Sequence, residues 1–313
     1  MFTKNFKKLN YKDVNIAGGK GASLGEMVQS KITVPPGFVV LVDGFERFLE
    51  ETDLGVEIDA VMSKIKHDNI NSVEKASVKI RDMIRDEKFP KDIGDEVKKD
   101  FKKLGAKYVA VRSSATAEDS SVASWAGELE SYLNVTEKNL LESVKKCWSS
   151  LFTPRAIFYR FEKNLQDQKV SVAVVVQKMV QSDVSGICFT VHPVTEDKNQ
   201  IIIEAGWGLG ESIVSGSITP DSYVIDKQDW LIMDINISDQ KRQLLRNGEK
   251  GIKWKPVLKS NQEKQKLSGP QIIKLAKICT NIEKHYKKPQ DIEWGIEKDK
   301  IYITQSRPIT TLN

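Results

Sequence analysis

Apolar positions repeat at two different periods along this chain. Over residues 57–104 they fall at helical spacing: Val61 and Ile65, then Val73, Ala76, Ile80, Met83 and Ile84, with charged residues between them. That pattern predicts two or three surface-packed helices, the last of them basic and solvated over Lys91–Lys103. Asn139–Ser150 predicts another helix, with Leu140, Val144, Cys147 and Trp148 inward, and Pro154 opens a short one over Arg155–Phe161. From Val170 the text turns to strands. Val170–Met179 (VSVAVVVQKM) is nearly all apolar and predicts a buried strand, with Val184–Val191, Gln200–Ala205, Asp221–Asp226 and Trp230–Ile237 as partners. Residues 239–265 are polar and Lys-rich and predict a surface excursion. Ser268 and Pro270 then open a helix with a stripe of Ile272, Leu275, Ile278 and Ile282. The fold class is α+β. Its helix-rich text gives way to strand-rich text near 105–110 or near 168, and we take 1–107 and 108–313 as the two parts.

Three stretches carry candidate chemistry. Tyr108–Val135 (YVAVRSSATAEDSSVASWAGELESYLNV) begins and ends as strand. Arg112 at a strand end, followed by hydroxyls, small residues and Gly127, suits a polyanion held by a guanidinium and main-chain N–H groups; a solvated Ser-rich hairpin loop is the plainer alternative. Gly18-Gly19-Lys20-Gly21 precedes a helical run opened by Ala22 or Ser23, a place where phosphates can be cradled, although GxxxxGK[ST] is absent and a tight turn with an exposed Lys is the plainer reading of this feature alone. Asp291–Pro308 (DIEWGIEKDKIYITQSRP) predicts a hairpin with Ile292, Trp294 and Ile296 on one side and Asp291, Glu293 and Gly295 on the other. A Lys298-Asp299-Lys300 loop sets Glu293 opposite Gln305 and Asp291 opposite Arg307. A two-residue loop sets Glu293 opposite Thr304 and breaks the pairing.

Composition narrows the class. The 313 residues are 40% hydrophobic and 29% charged, as in a soluble globular protein. A net charge of +5, from 48 basic and 43 acidic residues that are interspersed, does not argue for nucleic acid. Cys147, Cys188 and Cys279 lie far apart, which predicts buried thiols rather than a disulfide framework or zinc site. No signal peptide is visible at the N-terminus, and no apolar run is long enough to span a bilayer, so the expected location is cytoplasmic.

Seven collinear motifs point further: GGKGASLGEM, VPPGFVV, VAVRSSATAEDSSVASWAGELESYLNV, CWSSLFTPRAIFYR, SGICFTVHPVT, GWGLGESIVSGSITPDSY and DIEWGIEKDKIYITQSRPITTL. Together they resemble the N-terminal ATP-binding domain of phosphoenolpyruvate synthases, a domain shared with pyruvate phosphate dikinase and rifampicin phosphotransferase. The resemblance covers nearly the whole chain. It implies an ATP-grasp-like fold of two lobes with ATP and Mg²⁺ in the cleft between them. It also implies that Lys20 and Arg112 bind ATP phosphates, that Gly127 and Ser131 line the phosphate and ribose side, and that Gln177 sits by the adenine. Glu293 and Gln305 are the implied Mg²⁺ ligands, Arg307 the implied cation over the transferring phosphates, and Glu204 a second acidic contact near the metal.

Two departures qualify the match. Many relatives have Gln where this chain has Glu128, a carboxylate that repels phosphate unless it faces away or binds a cation. The phosphohistidine domain and the pyruvate- or antibiotic-binding domain usual in the family are missing, and His67, His192 and His285 lie outside any phosphohistidine context. The expected role is therefore the ATP half-reaction of a phosphoenolpyruvate synthase, delivering phosphate to a histidine on a swivelling domain. A rifampicin phosphotransferase and a non-catalytic nucleotide-binding module are the alternatives.

Overall fold

The computed structural model describes residues 1–116, 119–120, 123–124, 130–163, 165, 170–249 and 251–310. Two compact units emerge, one of residues 1–26 and 36–179, the other of residues 27–35 and 180–313. Their divisions differ from 107/108: that point marks a change in composition, but the strand that follows it pairs inside the first unit.

The first unit contains β1 (Thr3–Asn5), most of α1 (Val14–Gln29), β2 (Gly37–Val40), α2 (Val42–Glu51), α3 (Leu54–Met62), α4 (Ile70–Asp86) and α5 (Lys91–Leu104). It continues through β3 (Val109–Ala115), β4 (Asp119–Ser120), β5 (Ala123–Ser124), β6 (Ser131–Val135), α6 (Leu140–Ser149), α7 (Pro154–Glu162) and β7 (Val172–Lys178). Five strands form one antiparallel sheet in the order β1-β2-β7-β3-β6. Strand alternation sends Phe38, Val40, Val109, Val111, Val174 and Val176 to one face, where they share a core with Phe45, Phe48, Ile80, Val97 and Trp148 of the helices. Trp148 is fully buried, with its ring 5.1 Å from those of Phe48 and Phe89. The helical spacing read at 57–104 is that of α3, α4 and α5, and the inward face of α5 is Ile93, Val97 and Phe101.

The Gly18–Gly21 stretch is not a turn ahead of a helix opened by Ala22 or Ser23. Helical structure already runs from Val14, and it is broken inside at Gly18 (φ 68°, ψ 172°). A Cβ at Gly18 would lie 2.2 Å from the Ser114 carbonyl oxygen, so only glycine allows this approach.

The second unit contains β8 (Val184–Phe189), β9 (Gln200–Trp207), α8 (Glu211–Val214), β10 (Asp221–Asp226), β11 (Ile232–Asn236), β12 (Arg242–Arg246), β13 (Ile252–Pro256), α9 (Lys259–Gln262), α10 (Gly269–Tyr286), β14 (Gln290–Glu297) and β15 (Lys300–Pro308). Six strands form an antiparallel sheet in the order β11-β10-β9-β8-β14-β15. The α10 helix, opened by a Ser268–Gln271 capping box, packs on β9, β10 and β14. Cys188, Ile201, Ile203, Ile292 and Trp294 are buried along this apolar face with Leu275, Cys279 and Ile282 of the helix.

Residues 239–265 are more than a surface excursion. The Gln240 side chain, 2% exposed, accepts from the Trp207 N–H at 2.8 Å and donates to the Trp207 carbonyl at 3.0 Å, acting as a strand partner for that residue. The β12–β13 hairpin meets the glycine-rich turn through Gly208 and Leu244. Just beyond, Lys266 Nζ lies 2.8 Å from Asp221 Oδ1, with both side chains wholly buried. No described helix is long and apolar enough to cross a membrane.

Candidate functional site

In the first unit, the predicted residues gather on the sheet face opposite the helical core. Arg112 on β3 pairs with Ser131 of β6 and Val175 of β7, and Gln177 lies two residues beyond Val175. Directly paired residues and residues two apart share a face, so Arg112, Ser131 and Gln177 stand together. Ser131 is exposed, Arg112 partly so, and Gln177 buried at 2% exposure. Helix α1 meets the same face through Ser114 and Val39, each of which shares the parity of Arg112 in its strand register. Lys20 follows the break in that helix by two residues. Gly127 and Glu128 lie outside the described residues.

In the second unit, the face turned from α10 carries the acidic set. Glu204 on β9 pairs with Ile187 of β8, Ile187 with Glu293 of β14, and Glu293 with Gln305 of β15, so these four form a row across the sheet. Two residues along, Asp291 pairs with Arg307. Arg307 Nε and one terminal nitrogen donate to the same Asp291 oxygen, at 2.9 and 2.7 Å.

The turn that joins these strands has two residues, Lys298 and Asp299, at φ 50° and 61°, rather than the three of Lys298–Lys300. A two-residue loop alone sets Glu293 against Thr304. The register instead shifts between Glu293 and Trp294, leaving Thr304 as the extra residue of a bulge and restoring Glu293 opposite Gln305.

The acidic set is under electrostatic tension. Burial pushes the Glu204 carboxyl above its ordinary range, and the charge of Asp291 adds to this. Asp291 is also raised. Burial is the largest cause and outweighs the opposing pull of Arg307, while Glu293 pushes in the same direction as burial. Among the described residues, no three His, Cys, Asp or Glu side chains gather as a metal-holding group. Glu293 and Gln305 nevertheless offer two neighbouring oxygen donors suited to a hard cation shared with a ligand.

A stability prediction follows from Glu204. Its raised folded-state value means that the neutral carboxyl favours folding at acid pH, and that this contribution is lost as pH rises through that value. Glu204→Gln is therefore expected to raise the melting temperature of the ligand-free chain at pH 7, with the gain shrinking as pH falls through the carboxylate range. Melting at or below wild type at pH 7 contradicts the assignment.

The three histidines have local roles. His192 Nδ1 accepts from the Val194 and Thr195 N–H groups at 3.2 Å each, His67 stacks on Phe161 at 5.1 Å, and His285 contacts Ser30 at 3.3 Å. All three cysteines are buried, and burial pushes the Cys147 thiol up to about 12. Sequence reasoning missed Ser114. The available signal was its place two residues past Arg112, on the same side of the strand.

Comparison with known proteins gives the family of the chain. The family described as pyruvate phosphate dikinase, AMP/ATP-binding domain, matches residues 14–313. A probable phosphoenolpyruvate synthase of Methanocaldococcus jannaschii is 45% identical over 312 residues, covering 97% of this chain and 26% of that protein. A second, of Archaeoglobus fulgidus, is 47% identical over 307 residues, covering 96% and 40%. The rifampicin phosphotransferase of Bacillus subtilis is 39% identical over 303 residues, covering 96% and 35%. The chain thus spans less than half the length of each of these relatives. Matched over almost its full length, the chain belongs to the pyruvate phosphate dikinase AMP/ATP-binding domain family.

Proposed function

We propose that this chain is the MgATP-binding part of a phosphoenolpyruvate synthase with an ATP-grasp-like fold, and that it delivers phosphate from ATP to a histidine on a further, swivelling domain. In the complete reaction, pyruvate, ATP and water give phosphoenolpyruvate, AMP and phosphate. The observation that carries the reading is the β14–β15 register: a bulge at Thr304 keeps Glu293 beside Gln305 and Asp291 beside Arg307. Two oxygen donors next to a guanidinium suit a metal-bound polyphosphate.

Glu293 and Gln305 would hold Mg²⁺, which when bound neutralises charge on the phosphate oxygens. Arg307, held by Asp291, serves as the cation at the transferring phosphate. Lys20 and Arg112 bind phosphate oxygens, Gly127 and Ser131 serve the phosphate and ribose side, and Gln177 serves the adenine. Glu204 lies one strand beyond Ile187 in the Glu293 row and adds negative charge that favours a bound cation. The chemistry required of these residues is positioning and charge neutralisation, with no general base. Two synthases, at 45% and 47% identity, stand above the antibiotic phosphotransferase at 39%, while other synthases range down to 38%; pyruvate is the eventual substrate in this reading. The reading places the enzyme in the cytoplasm.

The test supplies the histidine-bearing domain of a full-length relative in trans with labelled ATP. Label on that domain's histidine is expected, and binding of ATP without transfer contradicts the proposal. Arg112→Ala and Arg307→Ala are each expected to weaken MgATP binding by about 1.5–3 kcal/mol, the scale of a charge-assisted hydrogen bond. Titrations that match wild type would remove either residue from the site.

A further inference from the structure

In an unbroken α-helix the N–H of Gly21 would donate to the carbonyl of Ala17, four residues earlier. Gly18 departs from helical angles between these two residues, and the Ser114 hydroxyl bonds to both groups. Ser114 Oγ donates to the Ala17 carbonyl at 2.9 Å and accepts from the Gly21 N–H at 3.2 Å. Ser114 and Ala17 are both completely buried, so no water substitutes for either bond. The contact is built from both sides, because Gly18 has a backbone conformation and a clearance over Ser114 that a side chain would abolish. A hydroxyl inserted into a helical ladder fixes the angle at which the next turn leaves. Lys20 stands on that turn.

We propose that Ser114 is a positioning residue for Lys20: by bridging Ala17 and Gly21 it sets the direction in which the Lys20 ammonium is presented to the phosphates of ATP. The proposal rests on the assignment of Lys20 as a phosphate ligand. Strand β3 then serves the nucleotide twice, directly through Arg112 and indirectly through Ser114, two residues on along the same face. A hydroxyl is suited to this place because it donates and accepts through one small atom. Alanine would leave a buried carbonyl and a buried N–H unpaired.

The test is a double-variant cycle on the full chain, with MgATP and, separately, adenosine titrated by calorimetry. Ser114→Ala is expected to weaken MgATP binding roughly tenfold, the scale of leaving buried polar groups unsatisfied, while adenosine affinity stays within about twofold of wild type. In a Lys20→Ala background, the same change is expected to cost MgATP less than about twofold, since two substitutions acting through one contact are not additive. If Ser114→Ala does not fold, Ser114→Cys is carried through the same cycle, because its thiol keeps a weak donor and acceptor in place. An equal loss for adenosine, or the same loss with and without Lys20, overturns the positioning role. Lys20→Ala binding MgATP as wild type does would instead refute the assignment of Lys20 itself.

Discussion

Asp221→Ala is expected to cost the chain about 3–5 kcal/mol of folding stability, the range for removing one partner of a buried ion pair. The Lys266 ammonium faces Asp221 at 2.8 Å with no exposure on either side chain. Asp221 has three further partners. Its Oδ2 accepts from the Tyr223 hydroxyl at 2.8 Å and the Lys266 N–H at 2.9 Å, and its Oδ1 accepts from the Ser238 N–H at 3.0 Å. Alanine therefore strands a charge and three donors together. Lys266→Met is expected to cost less, because those three donors still satisfy the carboxylate. Urea unfolding followed by circular dichroism separates the two variants. A loss below about 1 kcal/mol for Asp221→Ala would show that the network is dispensable, against the usual cost of an uncompensated buried charge. Burial and Asp221 also push the Tyr223 phenol well above its ordinary range, so Tyr223 remains a neutral donor throughout such a measurement.

The largest functional effect is expected at Glu293. Its side chain supplies the only carboxylate of the proposed Mg²⁺ pair, and Gln305 is a weaker, neutral donor. Glu293→Ala should lower phosphotransfer to the histidine-bearing domain about 10²–10³-fold, the scale of losing one aligned charge-stabilising group. It should also move the Mg²⁺ dependence to higher concentration. Gln305→Ala should shift the Mg²⁺ dependence in the same direction by less. Folding should not suffer at Glu293, because its removal relieves repulsion on Asp291, whose carboxyl Glu293 helps to push up. An unchanged Mg²⁺ titration for Glu293→Ala would remove it from the metal site.

Periodicity made much of this architecture legible. The alternation of Ile292, Trp294 and Ile296 with Asp291 and Glu293 gave the inner and outer sides of β14, and the spacing of Leu140, Val144, Cys147 and Trp148 gave the buried side of α6. Both follow from burial that repeats along a regular element. Features that break regularity were hidden. The turn after Glu297 has two residues, yet Glu293 still meets Gln305, because the Thr304 bulge compensates and no residue type announces it. The break at Gly18 was masked by three glycines in a row of four residues, of which the first is the one whose Cβ position is blocked by the Ser114 carbonyl. Lys266 reads as one more surface lysine, since its partner Asp221 lies 45 residues earlier. The family motifs suggested residue roles, which remain proposals, where patterning alone left a phosphate site and an ordinary solvated loop both open.

The central claim is that Glu293, Gln305 and Arg307 hold the Mg²⁺-bound phosphates of ATP. A crystal structure with Mg²⁺ and a nonhydrolysable ATP analogue tests it most directly. The account predicts Mg²⁺ on Glu293 and Gln305, with Arg307 on the phosphate oxygens of the analogue. Mg²⁺ and phosphates bound away from Glu293, Gln305 and Arg307 would contradict the account.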